Sequence, residues 1–198
     1  MDKEKTEKIR KKLRDSSVGI AGLGGLGSNA AISLARAGIG RLVLVDYDIV
    51  EESNLTRQYY FHNQIGKTKI EALKENIERI NPAVKIDIYN HKLTKGKMEK
   101  LFKDVDVVIE ALDSAEIKTT FIEEILMKLP DKPLVAASGV AGYGHSDRIK
   151  TKRAGNLYLC YDEQAKSSDE DVLTAPRVAI MANWEANLAL ELILGEDK

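Results

Sequence analysis

A glycine-rich turn constrains the fold of this chain more than any other sequence feature. Residues 19–31 read GIAGLGGLGSNAA and lie between a short apolar run and a stretch of small residues. Glycines at the spacing Gly22-x-Gly24-x-x-Gly27 let a strand turn sharply into a helix and let the backbone approach a ligand closely. The N-terminus of such a helix favours an anionic group. The turn therefore predicts a strand, a phosphate-binding loop and a helix at the start of the fold.

Short β-branched runs alternate with helical patterns along the chain. This alternation predicts an α/β fold, a Rossmann-like doubly wound, mostly parallel sheet with helices on both faces. Ligands of such sheets bind at the carboxyl ends of the strands. The predicted strands are 17–22, 41–46, 84–89, 106–111 and 133–139, with a hairpin-like pair in 142–161, and the predicted helices are 29–37, 67–79, 97–102, 115–129 and 174–195.

The composition is that of one globular domain, predicted to span residues 1–198. The chain is 43% hydrophobic and 31% charged, and its length suffices for one buried core but not for two ordinary domains. No apolar stretch reaches the roughly 20 residues of a membrane-spanning helix. The charged start, MDKEKTEKIRKKLRDSS, lacks a signal-peptide core, and residues 1–15 are predicted to form a charged, solvated helix. From these two absences we expect a cytoplasmic protein that does not bind membranes. Because its net charge is -1, we also expect no general affinity for nucleic acid.

The last part of the chain combines an acidic segment with a long helical pattern. Residues 162–171 (DEQAKSSDED) lack apolar anchors, which predicts a mobile loop over 162–173. Thr174 and Pro176 are typical of an N-cap and a first helical turn. Because the helix is apolar on most faces, we expect it to pack in the core or against a second subunit, with Trp184 as a packing or dimer-contact residue.

An acidic residue ends the second predicted strand, where nucleotide-binding sheets hold a ribose. Asp46 lies nineteen positions after Gly27, and an acid there can bind both ribose hydroxyls. This pattern fits NAD, FAD, S-adenosylmethionine or ATP. It therefore predicts an adenosine-containing ligand and leaves the reaction open.

The residues that follow are not typical of a dehydrogenase. The stretch DYDIVEESNLTRQYYF brings Arg57 shortly after the ribose acid, and Lys69 begins the next helix. Two fixed cations suit a triphosphate better than a dinucleotide diphosphate. Asp113 follows the strand DVVIEA at the carboxyl edge of the sheet, where an aspartate can hold Mg²⁺, and it is also a candidate N-cap of the next helix. These residues favour ATP with Mg²⁺.

Five motifs occur in a fixed order along the chain: GLGGLGS, Asp46-x-Asp48, SNLTRQ at 53–58, Gly66-x-x-Lys69 leading to INP at 80–82, and ALDS at 111–114. In this order they resemble the signature of the ThiF/MoeB/HesA superfamily, over nearly the whole chain. That superfamily activates ubiquitin-like proteins and bacterial sulfur carriers by adenylation. The resemblance implies that a carrier's C-terminal glycine carboxylate attacks the α-phosphate of ATP, giving an acyl-adenylate and pyrophosphate.

The resemblance also implies roles for individual residues. Arg57 and Lys69 would neutralise the triphosphate, and Asp113 would bind Mg²⁺ held against the phosphates. Since the attacking carboxylate is already ionised at neutral pH, the site needs charge neutralisation and alignment rather than a side-chain base. The full predicted nucleotide-binding set is Gly22, Gly24, Gly25, Gly27, Ser28, Asp46, Asp48, Ser53, Asn54, Leu55, Thr56, Arg57, Gln58, Lys69, Asp113 and Ser114.

The chain departs from the superfamily pattern at its cysteines. Larger relatives carry two Cys-x-x-Cys pairs for zinc, whereas CYDE at 160–163 holds one half of one pair, so no zinc site is expected. The single Cys160 excludes an intrachain disulfide and is expected to be a small buried or half-exposed apolar group. Relatives that link covalently to the carrier use a cysteine near the loop before the last helix, where this chain has DVLTAPRV. A persulfide or thioester step is therefore not expected.

The resemblance is to short bacterial ThiF-type proteins associated with thiamine biosynthesis, whose partner would be the sulfur carrier ThiS ending in Gly-Gly. The expected enzyme is a homodimer that uses ATP and Mg²⁺, with residues 162–173 covering the carrier's tail. The Arg-Tyr-x-Arg-Gln motif that lends an arginine to a neighbouring subunit is absent, and Arg10 and Arg14 are only candidates for that role. Two alternatives stay open: a relative that adenylates a modified tRNA nucleoside carboxylate, and a non-catalytic nucleotide-binding regulatory or scaffold protein.

Overall fold

Seven strands form one sheet in the computed structural model, which describes residues 3–166 and 170–195. The strands are β1 Ser17–Ala21, β2 Arg41–Asp46, β3 Lys85–Asn90, β4 Val107–Glu110, β5 Leu134–Ser138, β6 Lys150–Ala154 and β7 Leu157–Tyr161. Their order is β3-β2-β1-β4-β5-β7-β6, and every neighbouring pair is parallel except the antiparallel hairpin of β6 and β7. The predicted Rossmann-like, mostly parallel sheet is confirmed.

Helices cover both faces of this sheet, as the sequence pattern predicted. They are α1 Lys3–Arg14, α2 Gly25–Ala37, α3 Lys69–Ile80, α4 Ala115–Lys128 and α5 Ala175–Leu194. One apolar cluster packs α2, α3 and α5 on one face, and a second packs α4 and the short 3-10 helix Met98–Leu101 on the other. Along β4, Ile109 belongs to the first cluster and Val108 to the second. The central strands are thus buried on both faces, which is why they read as continuous apolar runs.

Details at the starts of α2 and α5 differ from the sequence predictions. α2 begins at Gly25 rather than at Asn29, because the turn residues continue directly into helical backbone in spite of their low helix propensity. Thr174 occupies the predicted N-cap position of α5, but its side chain makes no capping bond and its hydroxyl donates instead to the carbonyl of Gly142 at 2.9 Å. The hydroxyl therefore serves a tertiary contact.

The apolar side of α5 packs in the core, with Met181 and Ala189 fully buried. Trp184 lies on the outer side, 38% exposed, and its Nε1 donates to the Thr151 hydroxyl at 2.8 Å. Cys160 is buried as expected, and burial, followed by the nearby Glu185 carboxyl, raises the pKa of its thiol. Its environment is that of a structural apolar residue rather than a nucleophile.

The predicted mobile loop at 162–173 includes residues 167–169, which lie outside the described residues, so this loop stays a prediction. In the part of the chain that the structure describes, no helix is long and apolar enough to cross a membrane.

Glu185 places a fully buried carboxyl group on α5. Neither of its oxygens has a hydrogen-bond partner among the described residues. Burial raises the pKa of Glu185 well above its usual range; Lys118 opposes this shift and Glu110 adds to it. Folding therefore favours the protonated form of Glu185.

Replacing Glu185 by Gln is expected to stabilise the protein increasingly as pH rises. Between the unfolded pKa and the raised folded pKa of Glu185, folding takes up a proton, so this residue lowers the wild-type free energy of unfolding by about 1.4 kcal/mol per pH unit. The amide of Glu185→Gln needs no proton. Urea unfolding of both proteins at roughly pH 5.5 and pH 8 measures the difference. A difference of the same size at both pH values would show that Glu185 is not a protonated buried group.

Candidate functional site

A cavity of about 450 Å³ opens at the carboxyl edge of the sheet. It lies between the residues that follow β1, β2, β4 and β5 and the first turn of α5. Parallel sheets bind their ligands at this edge. The predicted site residues that line the cavity are Gly22, Gly24, Gly25, Asp46, Asp48, Arg57, Gln58, Lys69 and Asp113.

The remaining predicted residues do not line the cavity. They are Gly27, Ser28, Ser53, Asn54, Leu55, Thr56 and Ser114. The Ser28 hydroxyl accepts a hydrogen bond from the Tyr59 amide at 3.0 Å, and the buried Asn54 accepts one from the Glu51 amide at 3.1 Å. These bonds shape the turn and the rim of the cavity, and a direct contact of these seven residues with nucleotide stays a prediction.

The glycines of the turn have different structural roles. A Cβ on Gly27 would overlap the carbonyl oxygen of Gly22, so Gly27 is required for packing α2 against the turn. A Cβ on Gly24 would meet only the Gln58 side-chain nitrogen at 3.8 Å. Gly24 therefore borders open space in the cavity, at the helix N-terminus where an anionic phosphate is favoured.

The carboxylate of Asp46 holds two segments of the cavity wall. Its Oδ2 accepts from the Leu23 amide at 2.6 Å, and its Oδ1 accepts from the Asp48 amide at 2.8 Å. The Tyr60 hydroxyl, which no sequence motif singled out, donates to the Leu23 carbonyl at 2.7 Å. Burial raises the pKa of Tyr60 well above its usual range, and Asp46 adds to the shift. Because each carboxylate oxygen keeps a second lone pair, ribose binding by Asp46 is compatible with these bonds and stays a prediction.

The two predicted cations differ in their surroundings. Lys69 is buried, and its ammonium group forms an ion pair with Asp48 at 2.8 Å. Arg57 has no carboxylate partner within residues 3–166 and 170–195, and its guanidinium donates to the Ser53 carbonyl at 3.3 Å and the Thr56 hydroxyl at 3.2 Å. The positive charge of Arg57 is thus not balanced locally, which makes it the stronger candidate for binding a phosphate.

Asp113 lies on the exposed lip of the cavity directly after β4. It is not the N-cap of α4, since Ser114 takes that position and its hydroxyl accepts from the Ile117 amide at 3.5 Å. Among the described residues, no group of three or more His, Cys, Asp or Glu side chains could hold a metal. Mg²⁺ binds through one or two carboxylates together with phosphates and water, so Asp113 fits Mg²⁺ in the presence of a nucleotide.

A buried ion pair at the end of β4 was missed by sequence reasoning. Glu110 is fully buried, accepts from the Leu112 amide at 2.7 Å and pairs with Lys118 of α4. Lys118 also donates to the Ala137 carbonyl at 3.2 Å and lines the cavity. Burial raises the pKa of Glu110, while Lys118 opposes the shift. A glutamate inside the apolar run DVVIEA was the available signal, since a buried acid needs a cationic or hydrogen-bonding partner.

These features define a Rossmann-like α/β domain with a cavity at the position where parallel sheets bind their ligands. A glycine turn, a strand-end acid and an arginine without a carboxylate partner among the described residues surround one cavity at the carboxyl edge of a parallel sheet. The model of the ThiF family matches residues 3–198, and the chain belongs to the ThiF family.

Several curated relatives of this chain are adenylyltransferases by name. The chain is 31% identical over 191 residues to the adenylyltransferase and sulfurtransferase UBA4 of Kluyveromyces lactis, covering 93% of this chain and 43% of the relative. It is 29% identical over 191 residues to the molybdopterin-synthase adenylyltransferase of Escherichia coli, covering 94% of this chain and 76% of the relative. The chain thus spans less than half the length of the first relative.

Solved structures share the fold. The E. coli tRNA N6-threonylcarbamoyladenosine dehydratase TcdA in complex with AMP has a TM-score of 0.86 at 22% identity, covering 94% of this chain and 89% of that chain. E. coli MccB with ATP has a TM-score of 0.73 at 23% identity, covering 93% of this chain and 57% of that chain. At these identities the likeness concerns the fold.

Alanine substitution should lower stability at Gly27 and ATP affinity at Gly24. Gly27→Ala introduces an overlap with backbone and is expected to cost about 2 kcal/mol of stability, lowering Tm by roughly 4–8 °C. Gly24→Ala places its methyl group in the open space of the cavity, so it should lower ATP affinity with little change in Tm. Thermal unfolding and calorimetric titration with ATP measure both effects. A lower Tm for both variants with unchanged ATP affinity would contradict the assignment of the open space to phosphate.

Proposed function

We propose that this chain is an adenylyltransferase that uses ATP to activate the C-terminal glycine carboxylate of a small ubiquitin-like sulfur carrier protein. The names of the UBA4 and molybdopterin-synthase relatives support adenylyl transfer. The observation that carries the proposal is Arg57, a cavity-lining cation with no carboxylate partner in the described part of the chain. Such a cation suits a polyphosphate.

The proposed reaction requires no side-chain base. The carrier's carboxylate oxygen forms a bond to the α-phosphorus as the bond from that phosphorus to pyrophosphate breaks. Repulsion between the carboxylate and the triphosphate opposes this approach, so fixed positive charge and alignment supply the acceleration. Arg57 would bind phosphate oxygens through its planar donors, and Lys69 would share its charge between Asp48 and the triphosphate. Mg²⁺ held at Asp113 and the phosphates would supply further neutralisation.

The cavity has a nucleotide end and an acceptor end. Asp46 ends β2, and the glycine turn follows β1, whereas residues 139–141 follow β5 on the other side of β4. A ribose at Asp46 would place the phosphates over the glycine turn and leave the β5 end for the carrier's tail. Lys118 lies at this acceptor end, where its ammonium group would offset the charge of the incoming carboxylate.

The finer parts of the proposal are a ThiS-type carrier of thiamine biosynthesis, Mg²⁺, a homodimer and a cytoplasmic location. The sequence resemblance to short bacterial ThiF-type proteins supports the carrier. Ile180 and Trp184 on α5 are 37% and 38% exposed and offer apolar surface to a second subunit. The covering of the carrier's tail by residues 162–173 belongs to the same proposal.

A second candidate function is adenylation of a carboxylate on a modified tRNA nucleoside. TcdA, named as a tRNA-modifying dehydratase, shares the fold with a TM-score of 0.86. In addition, β6 exposes Lys150, Lys152 and Arg153, and lysine and arginine side chains bind the phosphates of nucleic acids. The carrier comes first because relatives whose names specify adenylyl transfer are more similar in sequence.

ATP–pyrophosphate exchange with Mg²⁺ tests the proposal. Exchange is expected with a ThiS-type carrier ending in Gly-Gly and not with the same carrier lacking the two glycines. Arg57→Ala and Asp113→Ala should each lower exchange on the order of 100-fold, because the first removes a positive charge that would stabilise the transition state and the second removes the carboxylate that would hold Mg²⁺.

Lys67→Ala is the matched control for these variants. Lys67 is an exposed lysine close to Lys69 in sequence, it pairs with Glu75 at 2.7 Å, and it does not line the cavity. It should keep wild-type exchange. Exchange stimulated by tRNA instead of the carrier would favour the second candidate, and ATP binding without exchange on either substrate would favour a regulatory protein.

A further inference from the structure

A buried ion pair lies next to the acceptor end of the cavity. Arg177 in the first turn of α5 and Asp162 after β7 have side chains only 3% and 4% exposed, with Nη2 and Oδ2 2.5 Å apart. A cation in the first turn opposes the positive end of the helix dipole. Burying both charges also carries a large desolvation cost. Stability of α5 therefore does not account for an arginine at this position.

Arg177 fixes the segment that follows β5. Its Nη1 donates to the carbonyls of Gly144 and His145 at 3.2 and 3.5 Å. With a φ of 49°, His145 is the one non-glycine residue of the described chain in the left-handed region. That conformation costs on the order of 1 kcal/mol and persists where surrounding contacts impose it. The bond from Arg177 is one of these contacts.

Asp162 fixes the start of the segment that follows β7. Its Oδ1 accepts from the Gln164 amide at 2.9 Å. Burial raises the pKa of Asp162, but the hydrogen bonds from Gln164 and Arg177 outweigh burial and hold it below its usual value, so the carboxylate stays ionised. The Asp162 carbonyl lies against Gly139, close enough to exclude any Cβ there, and Gly139 lines the cavity. A shift of Asp162 would therefore move the cavity wall.

Residues 172–174, which precede α5, are hydrogen-bonded to the segment that follows β5. The Gly142 amide donates to the Val172 carbonyl at 2.8 Å, and the Thr174 hydroxyl donates back to the Gly142 carbonyl at 2.9 Å. Leu173, between these two partners, lines the cavity, as does Val178, the residue after Arg177. The segments after β5 and β7 thus meet at Arg177, and residues 172–174 bond to the first of them; Arg177 itself does not line the cavity.

We propose that the Asp162–Arg177 ion pair is a clasp that positions the acceptor end of the cavity for the carrier's C-terminal tail. The clasp holds residues 139–145 and residues 162–164 at a fixed spacing, and the carrier's tail would lie between them. The inference deepens the proposed function and rests on it for the identity of the second substrate. Arg177 and Asp162 are positioning residues, since they act through the wall that they hold.

The kinetic test compares the two substrates separately in exchange assays of Arg177→Met and Asp162→Asn. Either variant should raise KM for the carrier by about 10-fold or more and leave KM for ATP within about 2-fold, because the nucleotide end is held by other residues. Arg177→Lys keeps the charge opposite Asp162 but loses the forked donors, so it should give an intermediate KM for the carrier. If Arg177→Met does not fold, Asp162→Asn alone decides, since it keeps the shape of Asp162.

Arg41→Met is the matched control. Arg41 pairs with Asp87 at 2.6 Å and begins β2, at the sheet edge opposite the cavity. It should leave both KM values unchanged. Equal increases in both KM values for the clasp variants, or a lower Tm with both values unchanged, would overturn the proposal.

Hydrogen–deuterium exchange of the chain with ATP alone separates this inference from the proposed function. In Arg177→Met, amides of residues 142–149 should exchange faster while those of residues 22–28 keep their wild-type rates. If wild-type protein shows no carrier-dependent adenylation, the proposed function fails and the clasp is judged by this measurement. Uniform acceleration along the chain would refute the clasp.

Discussion

The hydrogen bonds that Asp46 accepts are the constraint on which the nucleotide end depends. One carboxylate ties the turn after β1 to the segment after β2, and that segment carries Asp48 and its partner Lys69. The α2 N-terminus stabilises the nearby negative charge of Asp46, and that charge in turn weakens the attraction of this helix end for a phosphate. Arg57 lines the same cavity and adds a positive charge with no carboxylate partner among the described residues.

The charges around the cavity nearly cancel before any ligand is considered. Lys69 is paired with Asp48 and Lys118 with Glu110, which leaves Arg57, Lys92 and Lys166 against Asp46 and Asp113 among the residues that line the cavity. The proposed triphosphate would bring several negative charges into this nearly balanced site. Binding through these side chains alone would leave much of that charge unneutralised, so a divalent cation arriving with the nucleotide fits the site better than the free triphosphate.

The sequence was informative where a feature is encoded by neighbouring residues. The glycine turn, the β-branched runs of the strands and the hairpin of β6 and β7 are encoded in local patterns, and the structure has all of these elements. The motif SNLTRQ was less informative, because a contiguous motif does not separate the residues that face the cavity, Arg57 and Gln58, from those that build the rim, such as Asn54.

Features that depend on distant parts of the chain were missed. Tyr60 supports the turn from thirty-seven positions away, and the pairing of Lys118 with Glu110 requires α4 to pack across the end of β4. Thr174 has the residue type and position of an N-cap, yet its hydroxyl bonds to Gly142, thirty-two positions earlier. Tertiary packing decides which partner each of these side chains bonds to, and a single sequence carries no direct signal for it.

The hairpin that ends the sheet has a consequence for association between molecules. A parallel sheet that ended at β5 would present an unpaired strand of apolar residues, and such an edge is a template for strand addition by another chain. Here β7 covers β5, and the outermost strand, β6, is exposed along its whole length and carries Lys150, Lys152 and Arg153. Adding a second copy at this edge would bring like charges together. The sheet is thereby protected from growing into aggregates at the side nearest the acceptor end, while its helical faces remain free to form ordered contacts.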